Sequence, residues 1–152
     1  MSWAELEREA PALARLARER LQRSGIALLG TLRADGAPRI DPVEPHFADR
    51  ELVIGAMRDS AKARALRHDP RFVLHSTIGG PNTGESDIKL SGHVKPSNVA
   101  AGWWTDRPGD ADVYALAIKE AVVVEWNLPA SRMRVHRWTA ERGLTVSERA
   151  YP

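Results

Sequence analysis

At 152 residues the chain has the length of a single domain, long enough to bury a true core. Its 22 basic side chains stand against 20 acidic ones, giving a formal charge of +2 and a pI of about 9.3; 18 of the bases are arginines interleaved with acids, which argues against a general polyanion binder and leaves room for one local anion site. The absence of cysteine excludes disulfides, thiolate-bound zinc, iron–sulfur clusters and cysteine nucleophiles, and no apolar run reaches the roughly 18 residues of a membrane span.

The expected elements follow in chain order. Ser2 and Glu5 have the spacing of a capping box. Leu6, Ala10, Leu13, Ala17 and Leu21 then form one apolar helical stripe through residue 24, kinked or restarted at Pro11 and stopped at Gly25. From Ile26 to Leu32 the pattern is almost continuously apolar, as in a buried strand. Asp35-Gly36 is a hairpin signal, and Pro38 to Phe47 reads as the partner strand. Leu52 to Met57 is expected to complete a meander. A short helix from Ser60 to His68, ended by Asp69-Pro70, and strands from Phe72 to Ile78 and Ile88 to Val94 follow, with a loop over 79–84 between those two strands. Ser97 to Arg107 is read as helical, Tyr114 to Trp126 as one long strand or two short ones, and Met133 to Thr139 as an imperfectly alternating strand. Many short strands with few helices suggest a small antiparallel barrel.

Several chemistries find no motif. No two of the five histidines stand three to five residues apart, so no helical metal pair exists, although His75 and His93 could meet across neighbouring strands. There is no nucleophile elbow, Walker loop or dinucleotide glycine fingerprint, and no catalytic side chain is singled out. The informative segment runs from Met57 to Arg64, where a strand hands over to a helix. Free N–H groups and the positive helix end favour an anion there. Ser60 offers a hydroxyl. Lys62 offers a charge that opposes the helix dipole unless an anion compensates it. Arg39, on the preceding strand, can add a bidentate arm. The alternative is that Lys62, Arg64 and Arg67 simply solubilise an exposed helix.

Three stretches together resemble the pyridoxamine-phosphate-oxidase-like split barrels, small flavin- or deazaflavin-binding proteins. They are the hairpin Thr31 to Val43, the S-x-K-x-x-x-L-x-x-D-P-R segment from Ser60 to Ser76, and Asp87-Ile88-Lys89-Leu90-Ser91-Gly92. A weaker echo lies between Met133 and Tyr151. The resemblance implies one domain over 1–152, with an N-terminal helix over 1–24 and a six-stranded antiparallel split β-barrel over 26–148. It implies a homodimer with the cofactor between subunits. FMN is the expected cofactor and deazaflavin F-420 the alternative. Arg39, Ser60 and Lys62 would hold the phosphate, with Lys89 close by. Ile40, Asp41 and Met57 would line the isoalloxazine, and Ala63 would let it approach the helix. Trp103 or Trp104 would cap the ring, or else pack in the core or dimer contact.

The implied activity is hydride transfer between the cofactor and a small organic substrate. Vitamin B6 oxidation itself is not expected, because only Arg134-Val135-His136 echoes the corresponding substrate site. A flavin store or sensor, or a haem binder using one of the histidines, is the alternative on the same fold. No nucleic acid, membrane or metal partner is expected. The N-terminus shows no secretory pattern, so the cytoplasm is the expected location.

Overall fold

The computed structural model describes residues 1–78 and 84–150; the loop expected over 79–84 falls outside them except for Gly84, as does Tyr151. The chain opens with two helices, α1 (Trp3–Glu9) and α2 (Pro11–Ser24). The capping box is present: Ser2 Oγ accepts the Glu5 N–H at 3.3 Å, and Glu5 Oε2 accepts the Ser2 N–H at 2.6 Å. Pro11 restarts the helix at its first turn, where a missing N–H costs nothing. Gly25 ends α2 in the left-handed conformation, φ 67°.

Nine strands follow among the described residues: β1 (Ala27–Leu32), β2 (Pro38–Val43), β3 (His46–Ala48), β4 (Glu51–Met57), β5 (Arg71–Ser76), β6 (Asp87–Pro96), β7 (Ala111–Asn127), β8 (Arg132–Thr139) and β9 (Gly143–Ala150). Helix α3 (Ala61–His68) joins β4 to β5. The main path is β2-β1-β5-β6-β7-β4-β3, with β8 and β9 as a hairpin continuing from β7. All pairings are antiparallel.

This is a split barrel with nine strands where six were expected, and its sheet does not close. The expected first meander does not form either. Chain 38–47 divides into β2 and β3 around Glu44-Pro45, and β4 pairs with β3 and β7 instead of joining β1 and β2. The two ends of the path are therefore β2 and β3, and α3, which touches both β1 and β4, bridges the two sides of the opening.

Strand β7 explains the shape. It runs unbroken for 17 residues, pairing with β4 early and β8 late, while β6 lies along its other side. The β6–β7 register slips at Ser91/Gly92, where Lys119 is the extra residue of a bulge. A Cβ at Gly92 would stand 2.0 Å from the Ala117 carbonyl oxygen, so only glycine fits. The core gathers Leu6, Leu13 and Leu21 from the helices with Leu29, Ile54, Leu74, Leu90 and Ile118 from the strands. A second cluster on the other face of β4 and β7 holds Val53, Val99 and Val113, with Trp103 and Trp104 against it. The expected helix over 97–107 is reduced to one 3-10 turn at Ala101–Trp103. Both indoles pack within the chain: Trp103 stacks on His46 at 4.6 Å, and Trp104 occupies the space a side chain at Gly55 would need.

Candidate functional site

The opening of the barrel is lined by the edge strand β2 and the handover from β4 to α3. Asp59 takes the left-handed conformation at φ 64°, which turns the chain sharply out of the strand. Ser60 caps α3, its Oγ accepting the Ala63 N–H at 3.1 Å. That bond uses a lone pair of the hydroxyl and leaves its proton free to donate. Lys62 follows in the first turn, half-buried. Burial holds its ammonium below the usual lysine value; the Asp41 carboxylate pulls it up, Arg39 pushes it down and Glu44 pulls it up. Those three charges reach Lys62 from β2 and the residue after it, so the opening brings two bases and two acids into one neighbourhood.

Arg39 and Asp41 share a face of β2, as residues two apart on a strand must. They form a two-pronged pair: Arg39 Nε to Asp41 Oδ2 and Arg39 Nη2 to Asp41 Oδ1, both 2.6 Å. The carboxylate raises the Arg39 pKa above its ordinary value. Thr31 lies directly opposite Arg39 on β1 and is buried; its hydroxyl has no hydrogen-bond partner among the described residues. The other arginines of α3 are engaged elsewhere. Arg67 pairs with Asp112 at 2.9 Å and Asp59 at 3.3 Å, and Arg64 donates to the Asp59 carbonyl. This leaves Lys62 as the α3 cation turned toward the opening.

Of the residues singled out in the sequence, Arg39, Asp41 and Lys62 come together here, and Ser60 caps the helix two residues before Lys62. The other four lie elsewhere. Lys89 lies on the outer face of β6, opposite His75 and 3.4 Å from Asp87, with β5 and β1 between it and β2. Ala63 is fully buried in the main core and presents no side chain to the opening. Ile40 points away from Arg39 and Asp41 and is 70% exposed on the outer face of the sheet. Met57 ends β4 with its side chain largely exposed. His75 and His93 do not face each other: the register sets His75 opposite Lys89 and His93 opposite Arg71. The sequence reading missed Thr31 and Glu44. Thr31 carries a signal only in hindsight, as a hydroxyl in an otherwise apolar strand.

No family description matches the chain, and no curated protein matches its sequence. Solved structures do match over nearly the whole length. PhzG from Burkholderia lata, solved with tetrahydrophenazine-1-carboxylic acid, superposes with a TM-score of 0.67 at 14% identity, over 92% of this chain and 89% of its own. A pyridoxamine 5'-phosphate oxidase-related FMN-binding protein from Nostoc punctiforme gives 0.62 at 11% identity, over 94% and 96%. A haem-binding protein from Mycobacterium smegmatis gives 0.63 at 14% identity, over 91% and 88%. The chain therefore has the split-barrel fold of the pyridoxamine 5'-phosphate oxidase-related proteins. Among the described residues no helix is long and apolar enough to cross a membrane, and no cluster of metal-ligating side chains occurs.

Proposed function

We propose that the protein binds FMN, or the related deazaflavin, and serves as an oxidoreductase acting on a small organic molecule. The observation that carries this reading is that the charges of Arg39 and Lys62 act on each other across the opening, with Ser60 capping the helix two residues before Lys62. A phosphate fits these residues. Lys62 is a partly desolvated cation, the Ser60 proton is free to donate, and Thr31 holds a buried, unpartnered hydroxyl beside Arg39. Arg39 matches a phosphate edge with two parallel N–H groups. Met57 adds exposed apolar surface at the end of β4 for the ring.

A bound flavin would supply the two-electron chemistry, and the chain would supply placement and charge. No side chain at the opening is assigned as acid or base. The cofactor is proposed to lie between two copies of the chain, because the outer face of β2, β1 and β5 leaves Ile40, Leu28 and Val73 exposed.

The test is titration of the purified protein with FMN and with deazaflavin, followed by fluorescence and absorption. Binding at micromolar concentration is expected for one of them. Lys62→Ala should cost about 1.5–3 kcal/mol, roughly 10–150-fold in affinity. If neither cofactor binds, or Lys62→Ala binds as well as the parent, the reading is wrong.

A haem-binding role is the second reading, and His75 is the observation that favours it. Its Nδ1 donates to the Ser76 carbonyl at 2.6 Å, which leaves Nε2 with a free lone pair on the outer face. Two of the other histidines are committed: His136 pairs with Glu125 at 2.5 Å and His46 stacks on Trp103. Haem added to the protein should then give a Soret band that is lost in His75→Ala.

A further inference from the structure

We propose that Asp41 is a built-in competitor for the phosphate, holding Arg39 until a ligand displaces it and so setting how strongly the site takes a phosphate dianion. This rests on the phosphate site proposed above. Arg39 is not a free arm waiting for an anion, since the Nε and Nη2 edge of its guanidinium is occupied by the carboxylate two residues along the same strand face. A phosphate seated on that edge needs those same two N–H groups. Binding there exchanges one anion for another, and binding on the remaining Nη1 side places the phosphate on a guanidinium already neutralised by Asp41.

The charge balance points the same way. Arg39 and Lys62 are offset by Asp41 and Glu44, so the opening carries no net charge before a ligand arrives. A phosphate monoester brings about −1.5 to −2 charges at neutral pH. It would meet a carboxylate at the very group meant to receive it, and like charges at that distance repel strongly where water is partly excluded. Asp41 is only 16% exposed at its side chain, so solvent does little to screen it in place. The effect should be largest for phosphate: a flavin without one lacks the group that competes with Asp41 for Arg39.

The test compares Asp41→Asn, which keeps the shape and removes the charge, with the parent protein. FMN and riboflavin are titrated against both. Asp41→Asn should bind FMN at least tenfold more tightly, with a gain at least tenfold larger than any change in riboflavin affinity. Unchanged or weaker FMN binding, or equal tightening for both flavins, overturns the proposal. Asp41→Ser serves as a second variant should the amide disturb the fold, with melting by circular dichroism as the control.

Inorganic phosphate, followed through the Arg39 Nε–H resonance, separates this idea from the flavin reading. Tighter phosphate binding in the variant with no flavin bound by either protein upholds the competition and sinks the cofactor. FMN bound equally by both proteins does the reverse. If neither phosphate nor flavin binds either protein, both ideas fall.

Discussion

Lys62 is where burial and charge bear most directly on function. Its ammonium is disfavoured by desolvation, with Asp41 and Glu44 only partly restoring it. In the free protein it thus loses its proton below the ordinary lysine value. A bound phosphate would favour the ammonium and keep the proton on. Affinity should therefore be full below the free-state pKa and fall as pH rises through it. The dissociation constant of FMN, followed from neutral into alkaline solution, should climb before ordinary lysines titrate. Lys62→Arg should flatten that climb, because arginine keeps its charge; an identical climb in the variant would move the titration to another group. This residue and Ser60 were legible in the sequence, since a lysine in a first helical turn after a serine cap asks for an anion. The state of Arg39 was not. Reading residues 38–47 as a strand already puts Asp41 on the same face, but only the structure shows the carboxylate seated in its fork. The inward turn of Ala63 likewise follows from how α3 docks, which no local pattern states.

At the level of elements, two contacts hold the frame that presents the site. The first is the bulge between β6 and β7. Gly92→Ala would drive a methyl group into the Ala117 carbonyl, and backbone on both sides leaves little room to yield. The loss should be about 3 kcal/mol, at the upper end for overpacking, read as a lower urea midpoint at unchanged slope. The second is Arg20, which is 7% exposed. It ties α2 to Glu85 at 2.8 Å and to the Thr77 carbonyl, and so to both sides of the β5–β6 connection. Arg20→Ala leaves Glu85 without that partner and should cost about 3 kcal/mol in the same measurement. The apolar stripe of the N-terminal helical segment, its cap and its stop were readable from spacing, while Pro11 left open whether the helix is kinked or, as found, restarted. What escaped were elements fixed by non-local pairing. The β3–β4 hairpin crosses to the far end of the sheet, and nothing near residues 46–57 encodes that choice. Strand β9 was missed although Leu144 and Val146 alternate with Thr145 and Ser147; the alternation is only two residues long, and it is the pairing with β8 that fixes the strand. The tryptophan segment looked helical, but it takes its shape from the bare backbone at Gly55 that Trp104 covers.

For the whole molecule, the main unfinished surface is the outer face of β2, β1 and β5. Ile40, Gly30 and Val73 lie in one row across these strands, and Pro42, Leu28 and His75 form the neighbouring row. Ile40, Val73 and Leu28 are 70%, 44% and 40% exposed, while the strand neighbours of Val73 and Leu28 face a filled core and those of Ile40, Arg39 and Asp41, face the opening. Gly30 lets the Val73 side chain lean over it, because a Cβ there would stand 3.0 Å from Val73 Cγ1. A second copy of the chain is the proposed cover. A twofold contact sets the same patch against itself, so each apolar row would meet its own equivalent. A stable contact of this kind buries about 800 Å² per partner, and β2, at the edge of the same face, also carries Arg39 and Asp41. Pairing on this face would therefore bring the opening of each barrel near the neighbouring subunit. Sedimentation should give a particle of twice the 16.8 kDa chain. Val73→Arg places a charge in the row without touching the phosphate residues, and Leu28→Arg does so in the next row. Each variant should sediment as a folded monomer with an unchanged circular dichroism spectrum. Each should also lose FMN affinity if the cofactor lies between subunits. A variant that becomes monomeric yet binds FMN as tightly as the parent would place the cofactor wholly within one chain, and a parent protein that is itself monomeric would remove the second copy from the account.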